Sequence, residues 1–197
     1  MIAGLILAAG ESRRMGRDKA LLTYHRRTFL ETLIENLRAA GIAKVVVVLG
    51  HHAENIQREV NLAAVQVVVN HEYQRGQTSS LQLGLAAAAA DRPEAIILCL
   101  VDHPAISCEV IRKLTERYES TRPPVIIPTH GGVRGHPIVI SQTLFSELLA
   151  LPPHEAANTV IRKYRDATQF VEVTDPGVLI DVDDPATYEQ LIEGSRQ

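Results

Sequence analysis

The chain has 197 residues, of which 46% are hydrophobic and 22% charged, and its formal net charge at pH 7 is −3. This length and composition are typical of one globular domain with a substantial core, so residues 1–197 are expected to form a single domain. The charge gives no general affinity for nucleic acid, and the lack of a membrane-length apolar run or a signal pattern predicts a cytoplasmic protein without membrane contact.

Apolar runs alternate with helical patterns along the chain. Runs of Val, Ile and Leu predict strands over residues 4–8, 45–50, 65–70, 96–101 and 125–128, with shorter ones over 138–140 and 169–174. Periodic patterns with capping residues predict helices over 28–40, 53–59, 79–90, 108–120, 142–150, 156–165 and 186–193. This alternation predicts an α/β protein with three layers, α/β/α, around a mostly parallel, Rossmann-like sheet. Ligands in such sheets bind at the carboxyl ends of the strands.

The loop after the first strand combines a flexible backbone with a high density of positive charge. Gly10 and Gly16 let the backbone approach an anion closely. The loop carries four cations, Arg13, Arg14, Arg17 and Lys19. The glycine spacing matches neither a Walker loop nor a dinucleotide-binding fingerprint. The pattern predicts a loop that binds the phosphates of a nucleoside triphosphate, and an ordinary basic strand-to-helix turn is the alternative.

The same loop resembles a known signature. The loop contains the run Leu7-Ala8-Ala9-Gly10-x-Ser12-x-Arg14-Met15-Gly16-x-x-Lys19. This run resembles the nucleotide-binding loop of the molybdenum cofactor cytidylyltransferase family, whose near relatives are guanylyltransferases. The resemblance implies a fold of the nucleotide-diphospho-sugar transferase type and makes the named positions nucleotide contacts. Ala9 follows the cytidylyltransferase pattern, because the guanylyltransferase relatives have glycine at this position.

Two acidic segments are candidates for metal binding. Asp102 ends the strand over residues 96–101, and carboxylate oxygens are ligands that Mg²⁺ prefers; a turn or capping aspartate is the alternative. In the second segment, alternation places Asp181 and Asp183 on one face of an extended chain, while Asp184 suits a helix N-cap. The resemblance points to Asp102 and Asp183 as the Mg²⁺ ligands, with Asp181 as a weaker candidate.

Two further loops are expected to contact the substrates. Gly76 precedes a helix whose free amide groups suit an anion or a base edge, unless Thr78 or Ser79 caps it. Ser80 matches a serine of the family, and the segment Arg134-Gly135-His136-Pro137 matches four consecutive family positions, which implies substrate contacts by Gly135 and His136.

Other segments depart from the family pattern or carry weaker signals. The run 153–158 replaces a stretch of the family that contacts the organic substrate. His51 and His52 lie at the predicted start of a helix, where a capping or surface role is favoured over zinc binding.

These features together predict a Mg²⁺-dependent nucleotidyltransferase. It would move CMP from CTP to a phosphorylated acceptor, with molybdopterin implied by the resemblance, and release pyrophosphate. Arg14, Lys19 and Asp102 are the predicted catalytic residues. The resemblance also implies a transient contact with a molybdoenzyme or its chaperone. The alternatives are a transferase that uses GTP or a sugar or polyol phosphate, and a non-catalytic nucleotide-binding protein that delivers the cofactor.

Overall fold

The computed structural model describes residues 1–152 and 155–195. The strands are β1 (Ile2–Ala8), β2 (Thr23–Tyr24), β3 (Arg27–Thr28), β4 (Val45–Leu49), β5 (Gln66–Val69), β6 (Ala95–Leu100), β7 (Val125–His130), β8 (Val133–Arg134), β9 (Ile138–Ser141) and β10 (Gln169–Glu172). The helices are α1 (Phe29–Ala39), α2 (Ala53–Glu59), α3 (Gln77–Ala89), α4 (Cys108–Thr121), α5 (Phe145–Leu149), α6 (Asn158–Lys163) and α7 (Pro185–Gly194).

The main sheet has eight strands, seven of them in the order β10-β7-β9-β6-β1-β4-β5, with β8 paired to β7. Strands β6, β1, β4 and β5 pair in parallel, and so do β10 and β7. Strand β9 runs antiparallel to both of its neighbours, β6 and β7. The mostly parallel sheet of the predicted fold class is therefore confirmed, with β9 antiparallel to both of its neighbours and the short β8 antiparallel to β7.

Helices cover both faces of the sheet because alternate residues of β1 point to opposite sides. Ile6 packs with the buried faces of α1, α2 and α4, whereas Leu5 packs with those of α3, α5 and α6. Every residue of β1 is buried, which explains its continuous apolar run. The two cores and the sheet between them form the three layers that the sequence predicts.

The ends of two helices follow the predicted capping chemistry. The Thr28 hydroxyl accepts a hydrogen bond from the Glu31 backbone amide, and the Glu31 side chain accepts one from the Thr28 amide in return. Asp184 caps α7 in the same way, with Pro185 as its first residue. The entry of α7 thereby fixes where the neighbouring Asp183 lies.

Helix α3 begins earlier than predicted, and neither candidate side chain caps it. Gly76 is its N-cap residue, without a side-chain hydrogen bond. The Thr78 hydroxyl donates to the carbonyl of Glu155, and the Ser79 hydroxyl accepts from Asn70 while donating to the carbonyl of Gly76. Both hydroxyls are thus engaged in tertiary or local contacts that the pattern of the sequence does not encode.

Near the C-terminus, the predicted helix over 142–150 is a 3₁₀ turn followed by the short α5, and α6 is shorter than predicted. The segment 153–158 is the one that departs from the family pattern. Two of its residues, Pro153 and His154, lie outside the described residues. None of the helices within the described residues is long and apolar enough to cross a membrane.

Candidate active site

A cavity of about 650 Å³ opens at the carboxyl ends of β1 and β6, beside the start of α3. Its lining includes most of the predicted binding residues: Leu7, Ala8, Ala9, Gly10, Ser12, Arg14, Lys19, Gly76, Ser80, Asp102 and Asp183. Four predicted contacts lie outside this lining, namely Met15, Gly16, Gly135 and His136. The cavity has the size of a small-molecule site and lies where open α/β sheets bind their ligands.

The first loop folds around Ser12. The carbonyl of Ser12 accepts hydrogen bonds at 3.0 Å from the amides of Met15 and Gly16, and its hydroxyl accepts one at 3.1 Å from the amide of Lys19. Gly16 has a φ of +70°, a conformation that glycine adopts without steric cost. These bonds fix the start of the short 3₁₀ turn Lys19–Leu21 and place Lys19 at the wall of the cavity.

Met15 anchors the loop rather than lining the cavity. Its side chain is 4% exposed and packs with Leu22, Phe29, Val182 and Leu191. A methionine that fills such an apolar cluster holds the loop against α1 and α7. The sequence pattern does not separate this anchoring role from a nucleotide contact, because both require a fixed residue in the same loop.

Lys19 joins the two predicted metal ligands. Its side chain is only 11% exposed, and its Nζ lies 2.7 Å from Asp183 Oδ1 and 3.3 Å from Asp102 Oδ2. The more exposed Arg14 donates from Nη2 to Asp183 Oδ2 at 2.6 Å. The hydrogen bond from Lys19 lowers the pKa of Asp183, and Arg14 acts in the same direction. Asp183 therefore stays ionised at neutral pH.

The backbone brings the two acidic segments together. The amide of Val182 donates to the carbonyl of Asp102 at 2.8 Å, so the segment before α7 lies against the end of β6. Asp102 and Asp183 can then converge on one cation, which in this structure is the Lys19 ammonium group. Two carboxylates that face the same cationic centre fit a hard divalent ion such as Mg²⁺.

A group of histidines lies on the other side of Asp102. The rings of His103 and His136 are in contact, with their centroids 4.6 Å apart and their planes tilted by 35°. Burial lowers the pKa of His103, and it lowers the pKa of His136 to about 4, with His103 acting in the same direction. Burial and the charge of Asp102 raise the pKa of the nearby Asp181. Both imidazoles are therefore neutral at pH 7.

The loop that carries His136 packs against protein rather than opening to the cavity. The amide of His136 donates to the carbonyl of Val178 at 2.9 Å, and a side chain at Gly135 would overlap the same carbonyl group. Gly135 is thus explained by the close approach of two backbone segments. The expected substrate contact of Gly135 and His136 has no counterpart in the cavity lining.

Sequence reasoning missed several polar side chains beside the cavity. Asn70, at the end of β5, is buried and donates from Nδ2 to the hydroxyl oxygens of Ser79 and Ser80 at 2.9 Å. Tyr73 lines the cavity and lies 3.2 Å from the Nδ1 of His51. The available signal was that Asn70 ends the predicted strand 65–70 and Tyr73 follows it closely, since such residues collect at the edge of the sheet that binds ligands.

A second acidic and histidine group includes Asp18, His51 and His52. His52 Nδ1 lies 3.0 Å from Asp18 Oδ2, and the two histidine rings stack at 3.7 Å. His52 is the N-cap residue of α2, but its side chain makes no capping hydrogen bond. His52 thus stands at the capping position with an exposed side chain, in line with the expected capping or surface role, and its imidazole pairs with Asp18 rather than with the helix amides.

Comparisons with known proteins found a matching family model and several similar proteins. The model of the MobA-like NTP transferase domain matches residues 4–168. The nicotine blue oxidoreductase of Paenarthrobacter nicotinovorans is 32% identical over 202 residues, covering 96% of this chain and 94% of that protein. The molybdenum cofactor cytidylyltransferase of Escherichia coli K12 is 26% identical over 185 residues, covering 93% and 92%.

A solved structure is also similar over nearly the whole chain. The crystal structure of Rv0371c from Mycobacterium tuberculosis H37Rv superposes with a TM-score of 0.87 at 30% identity, covering 98% of this chain and 97% of that one. The same protein has been crystallised in complex with manganese, and that structure superposes with a TM-score of 0.82.

Proposed function

Since the chain belongs to the family of MobA-like NTP transferase domains and is a nucleotidyltransferase, we propose that it transfers CMP from CTP to molybdopterin and releases pyrophosphate. The observation that carries this proposal is the position of Lys19, whose ammonium group is buried between Asp102 and Asp183 at the cavity wall. A buried lysine that two carboxylates neutralise can exchange these partners for phosphate oxygens when a triphosphate binds.

The choice of CTP and of molybdopterin rests on likeness to relatives. Ala9 lines the cavity and follows the cytidylyltransferase pattern. The Escherichia coli cytidylyltransferase matches along 93% of the chain. A molybdenum cofactor product would pass to a molybdoenzyme or its chaperone, which we propose as the transient protein partner.

The proposed reaction is a displacement at the α-phosphorus of the nucleotide. A phosphate oxygen of the acceptor attacks that phosphorus, the bond to the bridging oxygen of the β-phosphate breaks, and pyrophosphate leaves with the electron pair. The acceptor phosphate is already anionic at neutral pH, so it requires positioning and charge screening rather than a general base. Arg14 and Lys19, which both line the cavity, would neutralise the charge that develops on the leaving pyrophosphate.

Asp102 and Asp183 would hold a Mg²⁺ ion beside this displacement. Both carboxylates already face one cationic centre, the Lys19 ammonium group, Asp102 through Oδ2 and Asp183 through Oδ1. When bound, the ion would supply positive charge to the phosphate oxygens.

We propose further that residues 1–197 form one nucleotidyltransferase domain, with the cavity-lining residues named above as the nucleotide contacts. The family model covers residues 4–168, and beyond it Leu191 of α7 packs in the same cluster as Met15. The loop of Gly135 and His136 is left out of this contact set because it packs against the turn around Val178.

Pyrophosphate release with Mg²⁺ tests the proposal directly. CTP and GTP are compared, each with and without molybdenum-loaded molybdopterin. The proposal expects release with CTP only when the pterin is present, and loss of release in Lys19→Met. The exposed Asp166 lies away from the cavity lining, so Asp166→Asn is a matched control that keeps the wild-type rate. Equal release with GTP would overturn the choice of donor, and no release with any phosphorylated acceptor would overturn the transfer itself.

A second candidate is an oxidoreductase activity, because the nicotine blue oxidoreductase is 32% identical over 96% of the chain. Reduction of nicotine blue by a reduced nicotinamide dinucleotide, measured without CTP, tests it. Reduction that persists in Lys19→Met and Asp102→Asn would favour this candidate, since a transfer site built on these residues would then be dispensable.

A further inference from the structure

Asp102 presents its two carboxylate oxygens to different surroundings. Oδ2 lies 3.3 Å from Lys19 Nζ, on the side of the cavity. Oδ1 is buried, and no group in residues 1–152 or 155–195 forms a hydrogen bond with it. A buried carboxylate oxygen without a partner costs free energy, so it indicates a position for a hydrogen-bond donor or a cation.

The same place holds a second unpartnered group. His103 is 8% exposed, and its Nδ1 has no hydrogen-bond partner among the described residues. His103 Nε2 is 4.0 Å from Asp102 Oδ1. Asp181 completes the group, because one ligand atom each from Asp102, His103 and Asp181 lies within 4.8 Å of the others. Two carboxylate side chains and a buried imidazole therefore lie close together, and one oxygen of Asp102 and one ring nitrogen of His103 have no partner among the described residues.

We propose that Asp102, His103 and Asp181 bind a divalent transition-metal ion, with Oδ1 as the ligand atom of Asp102. One imidazole and two carboxylates are a donor set that suits Mn²⁺, Fe²⁺, Co²⁺ or Zn²⁺ better than Mg²⁺, which prefers oxygen ligands. This site is distinct from the proposed Mg²⁺ site, which uses Asp102 Oδ2 and Asp183 together with the nucleotide.

The distances and exposure fit a site that closes on an ion. Ligand atoms on one ion lie about 3 Å apart when the bonds are about 2.1 Å, so the 4.0 Å gap between His103 and Asp102 closes by about 1 Å. Asp181 is exposed, which gives the ion a path from solvent. Since the Val182 amide is bonded to the Asp102 carbonyl, an ion here would tie the segment around Asp181 more firmly to the end of β6.

The other histidine group differs, because two of its ring nitrogens already have partners. Asp18, His51 and His52 also place one ligand atom each within 4.8 Å of the others. However, His52 Nδ1 is 3.0 Å from the Asp18 carboxylate and His51 Nδ1 is 3.2 Å from the Tyr73 hydroxyl, so both nitrogens have partners already. This group serves as the internal control for the proposal.

The test is a titration of the full chain with Co²⁺ in the absence of nucleotide, followed by visible absorption and by paramagnetically shifted imidazole NMR signals. We expect one bound Co²⁺ with a single imidazole ligand. Asp181→Asn should weaken binding about tenfold or more, because it removes a charged ligand from an exposed position without disturbing the core. His103→Gln should remove the imidazole signals, with circular dichroism as the check on its folding.

A matched variant separates this site from the other histidine group. His52→Gln should keep the Co²⁺ affinity of the wild type. The proposal is overturned by unchanged affinity in Asp181→Asn, by loss of binding in His52→Gln, or by no binding at millimolar Co²⁺. Because no nucleotide is present, these outcomes are independent of the proposed transfer reaction.

Discussion

The two carboxylate oxygens of Asp102 face opposite electrostatic surroundings. On the cavity side, its carboxylate and that of Asp183 face cations, and Lys19 and Arg14 supply short charged contacts. On the other side it meets two buried imidazoles with lowered pKa values and a buried oxygen without a partner. The first side is satisfied without a ligand and can exchange partners, whereas on the second side a buried oxygen has no partner among the described residues. Asp102 thus lies between the proposed nucleotide site and the proposed transition-metal site.

The largest effect is expected when the cation of the cavity side is removed. Lys19→Met keeps the length of the buried side chain but loses its charge, so phosphate oxygens lose their buried partner. We expect kcat for pyrophosphate release to fall about 10³-fold. Single-turnover assays at saturating nucleotide measure this, with Asp166→Asn as the control. A rate within a few-fold of wild type would show that Lys19 neutralises the carboxylates only.

Asp102→Asn affects both sides at once and is expected to cost about 10²-fold in kcat. The asparagine keeps one oxygen ligand but loses the negative charge that faces Lys19 and the proposed metal ions. Titration with Mg²⁺ should show a higher concentration for half-maximal activity than in the wild type. An unchanged Mg²⁺ dependence would argue that Asp102 does not hold the ion.

The lowered pKa of the buried His136 predicts that the free energy of unfolding depends on pH. In the folded chain the pKa of His136 is lowered from 6.5 to about 4 by burial, so the unfolded chain binds the proton more tightly. This contribution to stability is complete above pH 6.5 and is lost as the pH falls towards 4. Between pH 7 and pH 5 the loss is about 2 kcal/mol.

The free energy of unfolding in urea measures this loss at each pH. His136→Gln should flatten the decrease between pH 7 and pH 5, because glutamine has no proton to gain. If the variant and the wild type lose the same free energy over this range, another group controls the acid sensitivity.

Of these variants, Arg14→Ala is expected to show the smallest loss of activity. The Arg14 side chain is 70% exposed, and water screens much of its charge, so kcat/KM should fall about tenfold. Most of the effect should appear in KM for the nucleotide and should shrink as salt is added. A larger loss that is independent of salt would place Arg14 in the transition state instead.

Much of the fold was accessible from sequence because buried parallel strands require continuous apolar runs. The runs 4–8 and 96–101 predicted β1 and β6 within a few residues. The direction of β9 was not predictable, since a short run of Ile and Val suits a parallel or an antiparallel neighbour equally. The short strands β2 and β3 were missed because two-residue pairs leave no periodicity to detect.

The candidate site could be predicted from the sequence to a similar extent as the fold. Lys19 and Asp102 each follow a strand, and strand ends meet at one edge of a parallel sheet. The contact of Arg14 with Asp183 depends on the hydrogen bond between Val182 and Asp102, which no local pattern encodes. The burial of Met15 and the ring contact of His136 are likewise tertiary events between segments distant in the chain.

The most direct test of the central claim follows the α-phosphorus of the nucleotide. CTP labelled at this position is incubated with the protein, Mg²⁺ and molybdenum-loaded molybdopterin, and the products are separated. The proposed reaction predicts label in the pterin product and an equal amount of unlabelled pyrophosphate, with both lost in Lys19→Met. Bound CTP without labelled product, or undiminished label transfer by Lys19→Met, would contradict the role assigned to the cavity and its buried lysine.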